Sequence, residues 1–530
     1  MRTVALILAL LVAAGCASPA GQTGKADESG KSTWMPNLPS VPFLNDKGEK
    51  ATLISELKPG PYAPSSLAIG AEKDLAQRRA DGLGFVRSAT LEEFFGALRT
   101  QLLAASGVTG VPGRVILLAN PAFAAYSTPD GNAYLAVGWL KYLENADEAA
   151  AIVAHELSHV LLAHHSSDML SEWYHRGQAL QEIAIRLKAE QSKSKTVTKS
   201  DAKTVSQAQL GADVADKLAL PAFSRQQERE ADLLGVDLMM RAKYSPTAMV
   251  SMLEKLRAWE NQNKESDDAF WSQVTQTVQS DVGQAGKMVY QKALSVVSVN
   301  HPKTEERISG VAEYLDRHYG DKQLPDPHAA EWKQLVTRPD VAEMVKNYES
   351  AFQAKKLLDA KKPLESYAEA KVAATPPTAS DAYPNWILAR AASTLNRQPE
   401  ALAALQRAIA STDPNPQIYD DLIVHYEQAR DIPTALTWTD KASSVFGGAP
   451  RWRPVRIRLL RKAGKTADAE AQTLDCSLNA PDWRRLCQEA NQTPAPGQKA
   501  APATTVAPKT TPAPTTQRPT RPTLPTPLNR

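Results

Sequence analysis

One short stretch constrains this chain more than any other. Ala149 to His165 reads AAAIVAHELSHVLLAHH and contains His155-Glu156-Leu157-Ser158-His159, a match to H-E-x-x-H. On a helix, residues four apart share a face, so both imidazoles can reach a single Zn²⁺. Glu156 then lies beside the open coordination position, where it can accept a proton from water. The Ala, Ile, Val and Leu around the motif predict a buried helix. Asn145-Ala146-Asp147-Glu148 supplies its N-cap and an acidic residue at the third helical position. A structural helix with two partnered histidines would carry the same five residues, so the rest of the chain has to discriminate.

A zinc hydrolase needs a third protein ligand. His165 has the spacing of the extended H-E-x-x-H-x-x-G-x-x-H pattern, but Leu162 stands where the turn-forming glycine belongs. The helix is therefore expected to continue and carry His165 off the metal face. Ser224 to Gly235, SRQQEREADLLG, offers a better set. Glu228, Asp232 and Gly235 fall on one helical face. Glu228 can ligate zinc, Asp232 can hold a ligand imidazole from behind, and Gly235 lets two helices approach closely. Glu230 points the other way, toward solvent. Standing alone, this stretch reads equally as a charged helix with i,i+4 pairs.

The N-terminus speaks for export. Arg2 precedes an apolar run from Val4 to Ala14, the length of a signal-peptide core and too short to span a membrane. The run ends in Ala13-Ala14-Gly15-Cys16, similar to a bacterial lipobox. Residues 1–15 are thus expected to be a signal peptide and Cys16 a lipidated mature N-terminus; an ordinary secretory signal cut nearby is the alternative. Residues 16–64, rich in Gly, Ser, Pro and Lys, read as a flexible tether. A net charge of +3 over 530 residues, with no basic stretch interleaved with aromatics, excludes nucleic acid as a partner.

Ahead of the H-E-x-x-H helix, helical patterning falls around Leu67–Arg79 and again over Leu91–Ala105, where Thr90-Leu91-Glu92-Glu93 resembles a capping box. Arg114–Leu118 reads as a buried strand, and Phe123–Ser127 with Ala133–Val137 as a hairpin. An exposed edge of such a sheet can hold a peptide extended by strand addition. The insertion over 166–223, dominated in its middle by Lys, Ser, Thr and Gln, reads as either a lid over the cleft or a solvated surface excursion.

From 341 to 490 the chain is helical in pattern and repeats. Ala401, Ala435 and Ala469 stand 34 apart, and Pro399 and Pro433 keep the same spacing. That is the tetratricopeptide period, and such arrays offer concave surfaces to peptides or partner proteins. An earlier unit around Lys362-Pro363 fits loosely. Cys476 and Cys487 are open between a disulfide and two buried thiols. Residues 491–530, rich in Pro, Thr and Ala, cannot form a core.

The pairing of HELSH with SRQQEREADLLG resembles the gluzincin metallopeptidases that include the CAAX prenyl endopeptidases, peptidase family M48. The resemblance implies zinc held by His155, His159 and Glu228, with Glu156 as general base. His301-Pro302 and Arg307 resemble a further family element, which implies that His301 and Arg307 reach substrate or the oxyanion, and that His301 approaches the metal. Integral-membrane members carry several spanning helices, whereas this chain resembles a periplasmic branch with tetratricopeptide repeats. The expected architecture is mainly α: a gluzincin-type zinc protease domain with a small β-sheet over 65–320, then an α-solenoid over 341–490. The expected function is that of an envelope endopeptidase, lipid-anchored to the outer membrane from the periplasmic side, that degrades misassembled outer-membrane proteins. Its repeats would dock polypeptide substrate or the outer-membrane assembly machinery. The rival is a repeat-based chaperone or adaptor with a structural or latent zinc site.

Overall fold

The computed structural model describes residues 51–82, 84–166, 223, 225–262 and 304–493. The signal peptide, Cys16, most of the tether, the body of the 166–223 insertion, His301 and all but the first residues of the tail lie outside the described residues. Among the described residues no helix is long and apolar enough to cross a membrane.

The last part of the expected tether is built into the core. Leu53–Glu56 form a 3-10 turn whose Leu53 and Ile54 are buried. The Leu53 N–H donates to the Tyr314 hydroxyl and the Ile54 N–H to the Asp237 carboxylate, each at 2.8 Å. The Gly, Ser and Pro average of the whole segment conceals this short apolar cluster. Gly60–Pro61 (β1) then pairs in parallel with Val108–Thr109 (β3).

The main sheet has the order β2-β4-β6-β5, from Phe85–Val86 (β2), Val115–Leu118 (β4), Ala133–Ala136 (β6) and Ala125–Ser127 (β5). β4 and β6 are parallel, while β5 and β6 form an antiparallel pair that leaves β5 at the edge. Side chains alternate across the sheet as strand geometry requires. Val115, Leu117 and Leu135 enter the main core, while Ile116, Leu118 and Tyr134 join Leu75 and Phe85 on the other face. Two helices precede and flank these strands: Ala71–Ala80 (α1) and Ala89–Ser106 (α2). The second is capped by Ser88 rather than at Thr90, whose hydroxyl instead bonds Asp340.

Ala146–Leu161 (α3) carries the H-E-x-x-H motif, and every residue from Ala146 to Val160 is buried. The Asn145 carboxamide oxygen accepts the Glu148 N–H at 2.9 Å, which supplies the expected cap. Arg225–Arg241 (α4) crosses α3 closely. A Cβ placed on Gly235 would meet the Met249 methyl at 2.7 Å and the His155 nitrogen at 3.4 Å, so this crossing favours glycine. A helical stretch over 248–262 and Thr304–Tyr319 (α5) complete the packing around these two helices.

The helical array follows Ala329–Val336 (α6) without a break in packing. Trp332 is buried and donates its indole N–H to the Leu143 carbonyl at 2.7 Å. The paired helices are Pro339–Asp359 with Pro363–Ala373 (α7, α8), Ala382–Thr394 with Gln398–Ala410 (α9, α10), Pro416–Gln428 with Ile432–Val445 (α11, α12), and Arg453–Lys462 with Thr466–Asn479 (α13, α14). Each turn places one residue in the left-handed region: Lys361, Asn396, Arg430 and Gly464, the last three 34 apart. Behind each, an N–H reaches back to close the helix, as Asp431 to the Tyr426 carbonyl at 2.9 Å and Lys465 to the Leu460 carbonyl at 2.9 Å. Ala401, Ala435 and Ala469 are all buried at the same position of their helices. One apolar core runs from Leu53 to Leu422, so the sheet, the motif helices and the first helix pairs share it. Arg484–Asn491 (α15) closes the far end and is joined to α14 by a Cys476–Cys487 disulfide.

Candidate metal centre

His155 and His159 lie on successive turns of α3, and Glu228 lies in the first turn of α4. All three are buried, and their donor atoms stand within 4.8 Å of one another. The two Nε2 atoms are 3.2 Å apart, and each lies 3.5 Å from an oxygen of Glu228. Ligands held about 2.1 Å from a tetrahedral ion stand roughly 3.4 Å from each other. Two imidazole nitrogens and one carboxylate with these separations fit zinc in both donor chemistry and spacing.

Glu156 follows His155 and is equally buried. It opens on a small recess that it shares with Phe123, Ala125, Trp139, Met252 and Arg307. The apolar walls come from the 248–262 helix and from the segment leading into edge strand β5, with Phe123 stacked on Trp139 at 4.3 Å.

One carboxylate and one guanidinium hold the ligands from behind. Asp232 Oδ1 lies 2.9 Å from His155 Nδ1, which directs His155 Nε2 toward the cluster. Arg307 donates to Asp232 from Nε at 2.8 Å and from Nη2 at 2.7 Å, and its Nη1 lies 3.2 Å from Glu228. Burial opposes ionisation of Asp232, yet Arg307 and then His155 hold its carboxyl well below the usual range. Burial likewise opposes a charged His155, and Asp232 and Glu228 more than offset it, so the imidazole is pushed upward. The resemblance implied that Arg307 reaches substrate or the oxyanion. In the structure its guanidinium engages Asp232 and Glu228, and Arg307 also lines the recess beside Glu156. His301, its expected companion, falls outside the described residues.

The turn after α3 differs from the expectation. The helix stops at Leu161, and Ala163 takes a left-handed conformation with φ 53°. His165 is thereby turned away from the ion-binding group and buried, with Nε2 3.3 Å from Ser127 Oγ. Burial and neighbouring His164 push it down to about 3, which keeps it neutral. His165 is thus no member of the cluster, but because the helix ends rather than because it continues. The same turn brings His164 back over α4, with its Nδ1 2.9 Å from His159 Nδ1 and its Nε2 3.2 Å from Glu230. Glu230, expected to face solvent, is therefore a partner of this histidine. The bond from His164 holds the Glu230 carboxyl below its ordinary value. Phe223 stacks on the His159 ring at 3.7 Å. Sequence reasoning missed His164 and Phe223; the signal available for His164 was a polar residue directly after a wholly apolar helix end.

Residues 97–315 match the model of peptidase family M48. The chain is 25% identical over 208 residues to the beta-barrel assembly-enhancing protease of Escherichia coli (strain K12), covering 37% of this chain and 40% of that protein. It is 25% identical over 166 residues to the protein of the same name from Yersinia pestis, covering 31% and 32%. Against the mitochondrial metalloendopeptidase OMA1 of Schizosaccharomyces pombe it is 24% identical over 249 residues, covering 46% and 58%. The matched part thus spans about two fifths of the Escherichia coli relative's length. Both motif helices and Arg307 fall within the family match, and the chain carries a peptidase family M48 zinc-metallopeptidase domain.

Proposed function

We propose that the protein is a zinc-dependent endopeptidase that cleaves polypeptides in the bacterial cell envelope. The single observation that carries this reading is the convergence of His155, His159 and Glu228 beside a buried Glu156 that faces an apolar recess. A purely structural zinc site has no use for a carboxylate there.

Bound by His155, His159 and Glu228, zinc would supply a Lewis acid that polarises a scissile carbonyl and acidifies water toward a pKa of about 7. Glu156 takes the proton from that water and hands it to the departing amine nitrogen, the two halves of general base and general acid work. Asp232 and Arg307 keep the imidazole and carboxylate donors aimed inward, so nothing reorganises as charge develops. Edge strand β5, whose Ala125 lines the recess, gives an extended peptide a backbone ladder to add to.

The finer reading extends to substrate and place. The relatives named for beta-barrel assembly support misassembled outer-membrane proteins as substrates. The helix-pair array, read as tetratricopeptide-like, would dock those substrates or an assembly partner. The apolar run ending in Cys16 supports export with a lipid anchor at the outer membrane, and Cys16→Ser would release the protein from the membrane fraction.

The test is to measure zinc in the purified chain and then follow cleavage of an unfolded polypeptide. One zinc per chain with hydrolysis, and loss of hydrolysis but not zinc in Glu156→Gln, supports the reading; the expected loss is at least about 10²-fold. Full activity in Glu156→Gln refutes the catalytic assignment. A zinc-loaded protein that binds unfolded chains without cutting them favours the chaperone or adaptor reading.

A further inference from the structure

Asp232 accounts for one of the two ligand imidazoles, and the other has a support of a different kind. Behind His159 lies a relay of side chains outside the H-E-x-x-H pentapeptide. His159 Nδ1 stands 2.9 Å from His164 Nδ1, and His164 Nε2 stands 3.2 Å from Glu230 Oε2. The far end is tied down in turn. Gln226 donates its amide to Glu230 at 2.9 Å, and Gln227 donates to the His164 carbonyl at 3.3 Å. Phe223 lies flat against His159, with ring planes 20° apart.

Only one hydrogen fits between two ring nitrogens. With His159 Nε2 given to the metal, its Nδ1 carries the hydrogen and donates to His164. His164 therefore accepts at Nδ1, carries its own hydrogen on Nε2, and donates that to the Glu230 carboxylate. Every position is satisfied by a single arrangement of tautomers, as ligand histidines require. We infer that His164 and Glu230 are positioning residues that set the tautomer and aim of His159, doing for it what Asp232 does for His155. The inference rests on the zinc reading above.

The test is zinc affinity of the full-length chain, measured by competition with a chromophoric chelator. His164→Ala is expected to weaken binding about 10- to 100-fold, and Glu230→Ala by less. His164→Asn, whose amide oxygen can take the place of Nδ1 as acceptor, is expected to restore most of the loss. Wild-type affinity in His164→Ala overturns the inference, as does a loss that His164→Asn fails to restore while the metal-free proteins unfold alike. Should His164→Ala not fold, Glu230→Ala decides: its carboxylate is partly exposed, and unchanged affinity there overturns the relay. A wild-type chain that binds no zinc would instead overturn the proposed function and leave the relay without a role.

Discussion

Asp232 and His155, 77 residues apart in the chain, meet at 2.9 Å, and the same carboxylate takes two bonds from Arg307. Removing it leaves the buried Arg307 cation with Glu228 alone and frees a ligand ring. Asp232→Ala should lower zinc affinity about 10- to 100-fold and destabilise the metal-free protein by about 3–5 kcal/mol. Adding Arg307→Ala should cost less than its own single effect, because the half-paired charge goes with it. Denaturant titrations with and without zinc check both halves; additive costs would show the two groups to be independent.

The crossing of α3 and α4 depends on Gly235. Its nearest obstacle is the end of a flexible methionine, so Gly235→Ala should shift stability by no more than about 1 kcal/mol. Gly235→Val also crowds the His155 backbone and should cost about 1–3 kcal/mol. It should in addition lower zinc affinity, since forcing the helices apart separates Glu228 from the histidines. Thermal unfolding and metal competition on the two variants, run side by side, read these outcomes.

Three of the four turns of the array hold a residue other than glycine where glycine is favoured. Arg430 sits at φ 62° in an exposed turn, and Gly464 occupies the equivalent place one period on at φ 77°. Arg430→Gly should therefore stabilise the protein or leave it unchanged, by up to about 1 kcal/mol, while Gly464→Ala should destabilise it by about 1–2 kcal/mol. Equilibrium unfolding of the pair gives the comparison; equal effects would mean that the turns are not equivalent.

The Cys476–Cys487 bridge closes a short loop at the end of the array, and both cysteines are fully buried. Reducing it, or replacing both residues by alanine, should weaken the local unit by about 2–3 kcal/mol. Amide exchange should then accelerate over 484–491, with zinc binding unchanged. Loss of zinc on reduction would contradict the separation between these two ends of the molecule.

What could be read from the chain alone followed the length of each signal. The α3 helix was legible because a cap, a long apolar run and a spaced motif agree over 16 residues. Strand β4 and the β5–β6 hairpin were legible through apolar runs flanking a Pro-Asp-Gly turn. Two-residue strands such as β2 carry no period, and the parallel pairing of β4 with β6 leaves no local trace. Helix α1 starts at Ala71, four residues past the expected Leu67, because Gly70 takes φ 100° and stops any earlier turn. The bend at Ala163 was invisible since neither glycine nor asparagine marks it, and with it went His164 and the true surroundings of Glu230. Spacing on α4 brought out Glu228 and Asp232, whereas nothing local placed Arg307 behind them.

The buried turn at Leu53–Glu56 bears on how far the catalytic half extends. Asp237, further along the same α4 rod that bears Glu228, takes the Ile54 amide together with the hydroxyls of Tyr314 and Tyr319. A fragment trimmed to begin at residue 65 would leave that carboxylate short of a donor and strip two apolar plugs from the floor beneath the metal helices. Such a fragment should therefore be less stable than one that keeps Leu53 and Ile54, because the flank read as a leash lends its one apolar turn to the same core as the metal helices.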